Sequence, residues 1–466
     1  MTTHQLFKDY LNIAAEKFVT LDKKKPIRLV SHIDSDGISA VSIFASILNK
    51  LKYKYSISII SQLDETNLNI FSNEDYSTFV FIDLGSGQLK SIVSKFENKK
   101  VFILDHHYPQ NSKITENIVH INPMLFGIDG SKEISASGVV YLFSKSLHED
   151  AINFSHLAVI GAFGDQQYNG TFLSLNSEIL QDAIISKKIL LERGIRFFGT
   201  QTRPIHKLLE YSTDPYIPGV SGSSKGTKDF LNSLKIEYKS AGNYRKFNNL
   251  SEDEIQRLVK GIVKKRRYEK KPKDIFGDIF ILNSEENNTP FKNAKEFSTV
   301  LNACGRMNKA SLGVAICMGS KNSRLKGMDL LKSYKQEVLK SIRWYEENKN
   351  SKYVIKSDSY LIINAKTNIA PSLIGTLASM ISYSSEAKNI KYIITMAQNV
   401  DTTTKISFRY SGDDKTQIDL RKLIKDIMKE ISGDCGGHKH AAGAIISSKD
   451  EELFIKSAEQ ILLKIN

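Results

Sequence analysis

The sequence predicts an α/β protein: an N-terminal domain on a parallel sheet, a mostly helical connecting region, and a smaller C-terminal α/β domain. Three observations carry this. Short β-branched runs alternate with helix-period stretches up to about residue 165. A Lys- and Tyr-rich stretch without that alternation fills 190–300, and a second strand-and-helix pattern follows residue 350. Strand–helix alternation implies parallel strands joined by crossover helices.

In the first part, 27–31, 56–61, 78–83, 101–104, 118–121 and 156–162 read as strands. Their apolar runs are nearly continuous, as in strands buried on both faces. Residues 37–51 and 135–147 place apolar residues at helical spacing between them. The middle stretch contains a Gly/Ser segment at 219–226 that reads as a loop. It also contains Ser251-Glu252-Asp253-Glu254, a capping box that starts a helix running into Lys264-Lys265-Arg266-Arg267. Lys271-Pro272-Lys273 closes that helix. The tetrabasic run either touches nucleic acid or is a solvated helix end that suits the macrodipole; the second is the favoured reading. Residues 326–349, with the sole tryptophan Trp344, form a connecting helix. Beyond it, 360–363, 391–396, 405–410 and 442–447 read as strands and 418–431 and 451–463 as helices.

Composition narrows the function. The 466 residues carry 41% hydrophobic and 25% charged side chains, the profile of a globular protein of two or three domains. No run of 18 apolar residues predicts a membrane-spanning helix, and the polar first 25 residues lack the apolar core of a signal peptide. Cys304, Cys317 and Cys435 are too few and too scattered for a disulfide framework or a thiolate zinc site. They predict reduced thiols and a cytoplasmic location. A net charge of +14 favours a polyanionic partner such as nucleic acid.

Chemistry-bearing residues fall where strands end. His32-Ile33-Asp34-Ser35-Asp36-Gly37 follows the first strand, and its two carboxylates, two residues apart, lie in a turn that enters a helix. Taken alone, such a turn is usually a helix cap. Asp83 ends the third strand. Asp105-His106-His107 ends the fourth, and neutral imidazole is a common metal ligand. Asp165 follows 156–162. Ligands in open parallel sheets bind beyond the strands' carboxyl ends, so these groups should converge. A His/carboxylate pocket suits Mn²⁺ or Mg²⁺, and the number of crowded acids favours two ions. Far downstream, Gly436-Gly437-His438-Lys439-His440-Ala441-Ala442-Gly443 reads as a Gly-Gly turn whose amides approach a phosphate, with His438 as a further donor; a ligand-free glycine hairpin is the alternative. Arg409 could point its guanidinium at the same phosphate. Tyr108, directly after Asp-His-His, is a stacking candidate or a plain surface tyrosine.

The ordered set His32-x-Asp34-x-Asp36-Gly37, Asp83, Asp105-His106-His107 and Asp165 resembles the four motifs of the DHH phosphoesterase superfamily. Gly436-Gly437-His438 with Ala441-Ala442-Gly443 resembles the signature of the DHH-associated C-terminal domain. Asn302-Ala303-Cys304-Gly305-Arg306-Met307 is similar to a segment of the RecJ branch, and the length resembles the archaeal RecJ-like proteins, one group of which is known as the GINS-associated nuclease. No motif of the family matches 190–300.

The resemblance implies a two-metal phosphodiesterase of RecJ type, an exonuclease on single-stranded DNA or RNA in replication or repair. It implies His32, Asp34, Asp36, Asp83, His106 and Asp165 as ligands of two Mn²⁺ ions, with Mg²⁺ the alternative. Asp83 matches the bridging carboxylate, and His32 a position that is Asp in bacterial RecJ. Asp105 would orient His106, as metal-bound imidazoles require. His107, near the scissile phosphate, completes the catalytic pair with Asp105. Arg306, Arg409, Gly436, Gly437 and His438 would bind substrate. Partners would be single-stranded nucleic acid, GINS and the replicative helicase. The expected layout is a catalytic domain over 1–190, a middle region over 191–325 completing or decorating it, a connecting helix over 326–352 and a substrate-binding domain over 353–466. A small-substrate phosphodiesterase and a non-catalytic replisome scaffold are the alternatives.

Overall fold

The computed structural model describes residues 2–212, 215–268, 275–382, 390–412 and 418–465. β1 (Ile27–His32), β2 (Tyr55–Ile60), β3 (Thr78–Ile82), β4 (Lys100–Leu104) and β5 (Ile118–Ile121) form a wholly parallel sheet in the order β2-β1-β3-β4-β5. Alternation along each strand buries both faces. Leu29, Val80, Ile82, Phe102 and Leu104 face one core. Val30, Phe79, Phe81, Val101 and Ile103 face another.

The first core is covered by α1 (Thr3–Val19), α2 (Ser35–Lys50), α5 (Ala136–Leu147) and their neighbours α6 (Ser155–Gly164) and α7 (Ser174–Ile185). Phe18 meets Phe44, Phe102 and Phe143 there, edge to face. The second is covered by α3 (Glu65–Asn73) and α4 (Leu89–Lys95), with Phe96 set against Phe79 and Phe81. A sheet sealed on both sides leaves its strand ends as the open place for ligands.

The expected strand at 156–162 is α6. Its apolar run is short and continuous, a pattern shared by a doubly buried strand and a helix buried all round. α6 packs against α2, α5 and α7, and no strand of the sheet is left for it to pair with among the described residues.

The middle stretch leaves and re-enters through one antiparallel pair. β6 (Ile189–Ile195) lies beside the strand Phe276–Leu282, with Ile195 opposite Phe276. Between them a helical unit has its own core, including Ile205, Leu209, Phe230, Leu231, Leu258 and Ile262. Ser251 caps the helix Glu252–Lys265 through the expected reciprocal capping box with Glu254. The tetrabasic run is its cationic end. Arg266 is buried with its guanidinium on the Tyr216 carbonyl, and Arg267 stacks on Tyr268. The expected closure at Lys271-Pro272-Lys273 lies outside the described residues. The expected loop at 219–226 is shorter than predicted, because Ser223 caps the helix Ser224–Ser233 by accepting the Gly226 amide.

The helix Ala294–Arg306 packs across α6 and α2, and the 28-residue helix Lys321–Asn348 follows. Gly305 fits directly on the first motif loop: a Cβ there would stand 1.8 Å from the Ile33 carbonyl oxygen. The C-terminal sheet has six strands in the order Val354–Lys356, Tyr360–Asn364, Tyr392–Gln398, Thr403–Tyr410, Ala441–Ser447, Gly433–His438. One face packs on the helices Leu420–Ile427 and Glu451–Lys464. The other, with the helix Ile374–Ser382, joins the main core through Leu361, Ile363, Ile374 and Leu377. The three cysteines are free thiols, and no described helix is long and apolar enough to cross a membrane.

Gly305→Ala is expected to lower the thermal unfolding midpoint, since overpacking a tight contact costs about 1–3 kcal/mol. Calorimetry checks it; an unchanged midpoint would mean that the helix backs away from Ile33 at no cost.

Candidate metal centre

Each motif residue owes its place to a chain end that the sheet fixes. Asp34 accepts the amides of Asp36 and Gly37, both at 3.0 Å, and so caps α2 while remaining in the site. Its other oxygen lies 3.0 Å from His32 Nδ1. Asp36, in the first turn of α2, accepts the Ala136 and Ser137 amides at 2.7 and 3.0 Å from the start of α5. Asp83 follows β3 in the left-handed region (φ 60°), which is uncommon for a residue with a side chain and frequent at functional sites. Its amide is held by the Leu104 carbonyl on the next strand.

Asp83 sits at the centre. Oδ2 lies 3.3 Å from His32 Nδ1, and Oδ1 lies 3.3 Å from His106 Nε2 and 3.7 Å from His107 Nδ1. Those approaches to Oδ1 are not aligned hydrogen bonds, so it is a buried carboxylate oxygen without a donor. Asp165 ends α6 with Oδ2 at 3.8 Å from His106 Nδ1, and Gln167 Nε2 donates to that same oxygen at 2.7 Å. Three overlapping groups follow, His32/Asp34/Asp83, Asp36/His106/Asp165 and Asp83/Asp105/His106/His107, each with ligand atoms within 4.8 Å of one another. Asp83 turns Oδ2 toward His32 and Oδ1 toward His106 and His107. The donor-free oxygen and the mixed oxygen/imidazole set fit hard divalent cations.

One expected role shifts. The His106 ring is held by the Gly130 carbonyl, 2.5 Å from Nδ1. Asp105 instead accepts from the His107 ring at 2.7 Å, and touches His106 only through its backbone amide at 2.8 Å. The expectation that Asp105 orients the His106 ring is corrected, because successive residues past a strand end point to different sides and only His107 turns back. Ser86 donates its amide to Asp105 at 2.9 Å. Asn122 donates to the Ser86 hydroxyl and to the His107 carbonyl, both at 2.8 Å. These supports were missed; Asn122 directly follows β5, where strand-end logic could have found it.

Arg306, whose charge helps to hold Asp34 low, donates to the Ser372 carbonyl at 3.0 Å and so reaches from the metal centre to the C-terminal domain. Arg409 donates to Ser379 at 3.2 Å. A Cβ placed on Gly375, at the start of the helix Ile374–Ser382, would lie 3.3 Å from Arg409 Nη2, 3.4 Å from Ser407 Oγ and 3.8 Å from Arg306 Nη1, so these groups converge there. Lys405 adds a third cation, pushed down to about 8 by burial and by Arg306 and Arg409. Lys405 and Ser407 were missed, although Lys405-x-Ser407-x-Arg409 is a period-two polar stripe opposite the buried Ile406 and Phe408.

Gly436 and Gly437 lie in an edge strand, paired with Gly443 and Ala442, rather than in the expected turn, which falls at Lys439-His440. Glycine pairs fit a strand where two backbones come close. The His438 side chain lies outside the described set. Tyr108 is 63% exposed and faces Arg421 of the C-terminal domain, 5.0 Å from the ring centre.

The electrostatics follow from crowding. Burial and the adjacent Asp83 push Asp36 up to about 7. Burial with Asp34 and Asp83 pushes Asp165 up to about 6. Burial alone would lower His32, His106 and His107, but facing carboxylates outweigh it and raise all three. For Asp34 and Asp105 burial is outweighed by imidazoles and amide donors, and both are held well below the usual carboxylate range.

Comparison with known proteins places this arrangement. The DHH family N-terminal domain matches residues 26–162, the DHH-CID domain 197–275 and the DHHA1 domain 357–464. The middle stretch, which carries no motif quoted from the sequence, is thus a matched domain. Over 442 residues the chain is 27% identical to the uncharacterized protein MJ0831 of Methanocaldococcus jannaschii, covering 94% of this chain and 93% of that one. Its fold is similar to CDC45 from Entamoeba histolytica, with TM-score 0.65, 15% identity and coverage of 99% and 98% of the two chains. It is similar to RecJ in complex with Mn²⁺ from Thermus thermophilus, with TM-score 0.60, 14% identity and 98% of this chain covered; the chain spans 55% of that RecJ. The fold and motif order define a DHH-type phosphoesterase architecture. The chain belongs to the DHH superfamily, and its fold is RecJ-like.

A pH dependence follows. Without metal, the folded state keeps protons on Asp36, Asp165 and the three imidazoles where the unfolded chain has lost them. Groups whose folded values are raised give up stability as the pH rises through those values; the lowered Asp34 and Asp105 contribute a constant amount there and lose it only in acid. Metal-free protein should therefore melt lower at pH 8 than at pH 6. The melting-point rise produced by Mn²⁺ should be larger at pH 8, where the ligands bind without releasing protons. Scanning calorimetry with Mn²⁺ or EDTA at both pH values checks it; equal rises would show that these acids do not titrate in that range.

Proposed function

We propose that the chain is a divalent-metal-dependent phosphodiesterase that degrades single-stranded nucleic acid from an end, in the manner of a RecJ-type exonuclease. The observation that supports this is that every motif acid and imidazole is present, in overlapping groups, with Asp83 placing one oxygen near His32 and the other near His106. His32, Asp34, Asp36, Asp83, His106 and Asp165 are the proposed ligands. Bound cations would supply Lewis-acid activation of water and of the phosphoryl oxygens. Mn²⁺ is the proposed ion, Mg²⁺ the alternative.

The remaining steps belong to side chains. Asp105 accepts from His107 Nδ1 and favours the imidazolium form, whose Nε2–H would donate to the scissile phosphate and to the charge that develops on it. Arg306, Lys405 and Arg409, with Ser407, hold a neighbouring phosphate against the C-terminal domain. Gly436, Gly437 and His438 border that strand, since Arg409 pairs with Ala441 in the adjoining hairpin. Cations that converge in this way favour an anion between them. A strand whose phosphate is gripped there presents the next phosphodiester to the metal centre.

The fold shared with CDC45 favours a second reading, a non-catalytic replisome scaffold, for which GINS and the replicative helicase are the proposed partners. Incubation with Mn²⁺ and a labelled long oligonucleotide, a dinucleotide or a cyclic dinucleotide separates the readings. Stepwise shortening of the long strand is expected. Cleavage of only the small substrates would move the assignment to a small-substrate phosphodiesterase, and no cleavage would favour the scaffold.

Asp83→Ala is expected to abolish turnover while the fold survives, because removing a crowded acid relieves repulsion. Residual activity within about tenfold of wild type, about 1.4 kcal/mol of barrier, would remove Asp83 from its central role. Arg409→Ala is expected to raise KM by the loss of a charged contact of about 1.5–3 kcal/mol, with Mn²⁺ affinity by calorimetry unchanged. Lost Mn²⁺ binding would place Arg409 in the support of the metal centre instead.

A further inference from the structure

The inserted helical unit holds charge and rings that the metal centre does not use. Residues 197–275 contain 17 Lys and Arg against 9 Asp and Glu, an excess of 8 within a chain whose total is +14. Of the tetrabasic run Arg266 is buried, while Lys264, Lys265 and Arg267 are exposed at the end of their helix. The surface lies around the short helix Ile205–Glu210.

On one side a tight hairpin joins Lys239–Ser240 to Asn243–Tyr244. Its two turn residues, Ala241 and Gly242, both have positive φ, and its register sets Lys239 beside Tyr244. Tyr244 is 51% exposed, leans on the buried His206 ring with centroids 4.6 Å apart, and carries the Lys239 ammonium 4.6 Å from its centre. Burial lowers His206, and the neighbouring charges of Lys207, Lys228 and Lys239 add to that. At the end of the same helix Tyr211, also 51% exposed, is flanked by Lys207 at 5.2 Å and Arg203 at 5.7 Å. Two nearby acids are matched, Glu210 with Lys207 and Glu254 with Arg245, while Asp229 and Glu237 lie close to Lys228 and Lys239 along the chain. Among the described residues Lys228 and Lys239 pair with no acid.

Half-exposed rings interleaved with unmatched cations are what a single strand needs. Bases stack on any aromatic face, while phosphates meet ammonium groups, without sequence preference. The tight hairpin fixes one such ring against His206 and beside the Lys239 ammonium, so ring and cation are held together. We propose that this surface, centred on Tyr244, Lys239, Lys228 and Tyr211, is a second binding site for single-stranded nucleic acid, outside the metal centre. It rests on the inserted unit's own residues and is read by binding, so it stands or falls apart from the nuclease reading.

The test uses the full chain in EDTA, with fluorescence anisotropy on oligothymidylates of about six and about thirty nucleotides, lengths below and above the span of a single binding fold. A variant combining Lys228→Ser, Lys239→Ser and Tyr244→Ala should weaken binding of the long strand at least tenfold and leave the short one, which the catalytic cleft can hold, unchanged. Its salt slope should fall by about 0.7 for each lost phosphate contact. Tyr244→Phe alone should bind as wild type. If the triple variant melts early, Lys228→Ser with Lys239→Ser is read by salt slope alone. An unchanged affinity and slope for the long strand would overturn the proposal, as would equal weakening on both lengths. A poly-glutamate peptide is the last arm: loss of its binding with strand binding retained would assign the surface to an acidic protein partner instead.

Discussion

Five carboxylates, Asp34, Asp36, Asp83, Asp105 and Asp165, share a buried corner with three imidazoles at the carboxyl ends of parallel strands, and like charges that close in a poorly polarisable medium cannot all ionise unaided. Much of the surrounding structure answers this constraint. The first amides of α5 are aimed at Asp36, the start of α2 at Asp34, and the Ser86 amide at Asp105. Helix N-termini and loop amides thus neutralise what they can reach. Asp83 is the exception, because one of its oxygens receives no donor, and it is there that an external cation has most to offer.

The C-terminal domain poses the opposite problem. Arg306, Lys405 and Arg409 bring positive charge together near Gly375, where Arg306 bonds the Ser372 carbonyl and Arg409 the Ser379 hydroxyl. The two regions touch through Arg306, which senses Asp34 on one side and bonds Ser372 on the other. A polyanion bridging them would relieve both excesses at once, its phosphates meeting bound cations at one end and guanidinium groups at the other.

Much of this was legible in the sequence because parallel strands buried on both faces announce themselves as unbroken apolar runs, and the residues after them are fixed in position by the sheet. Asp83 and Asp105-His106-His107 could be placed on that logic alone. It failed where the local signal is degenerate. The run at 156–162 is equally apolar on every side, and only packing against α2 and α5 decides that it is a helix. Glycines at 436 and 437 read as a turn because their preference for tight backbone geometry was visible, while the partner strand that satisfies it was not. Lys405 escaped notice because its meaning comes from Arg306, about a hundred residues away in the chain and adjacent only after folding. The division of labour between Asp105 and the two histidines depended on side-chain directions that spacing does not encode.

The antiparallel pairing of β6 with Phe276–Leu282 sets the start and finish of the inserted unit opposite each other, with its hydrophobic interior closed on itself. A segment joined in that manner is a graft: its host meets it at two neighbouring stubs and at the bonds of Gln201 and Thr202 to Glu296, and the entropy of closing a long excursion grows merely with the logarithm of its length. Such a unit is free to be lengthened, exchanged or shed in descent while the catalytic framework beneath stays the same. Diversity among relatives of this chain should then accumulate between those two strands, where a lineage can change what the protein holds on to without touching what it does to it.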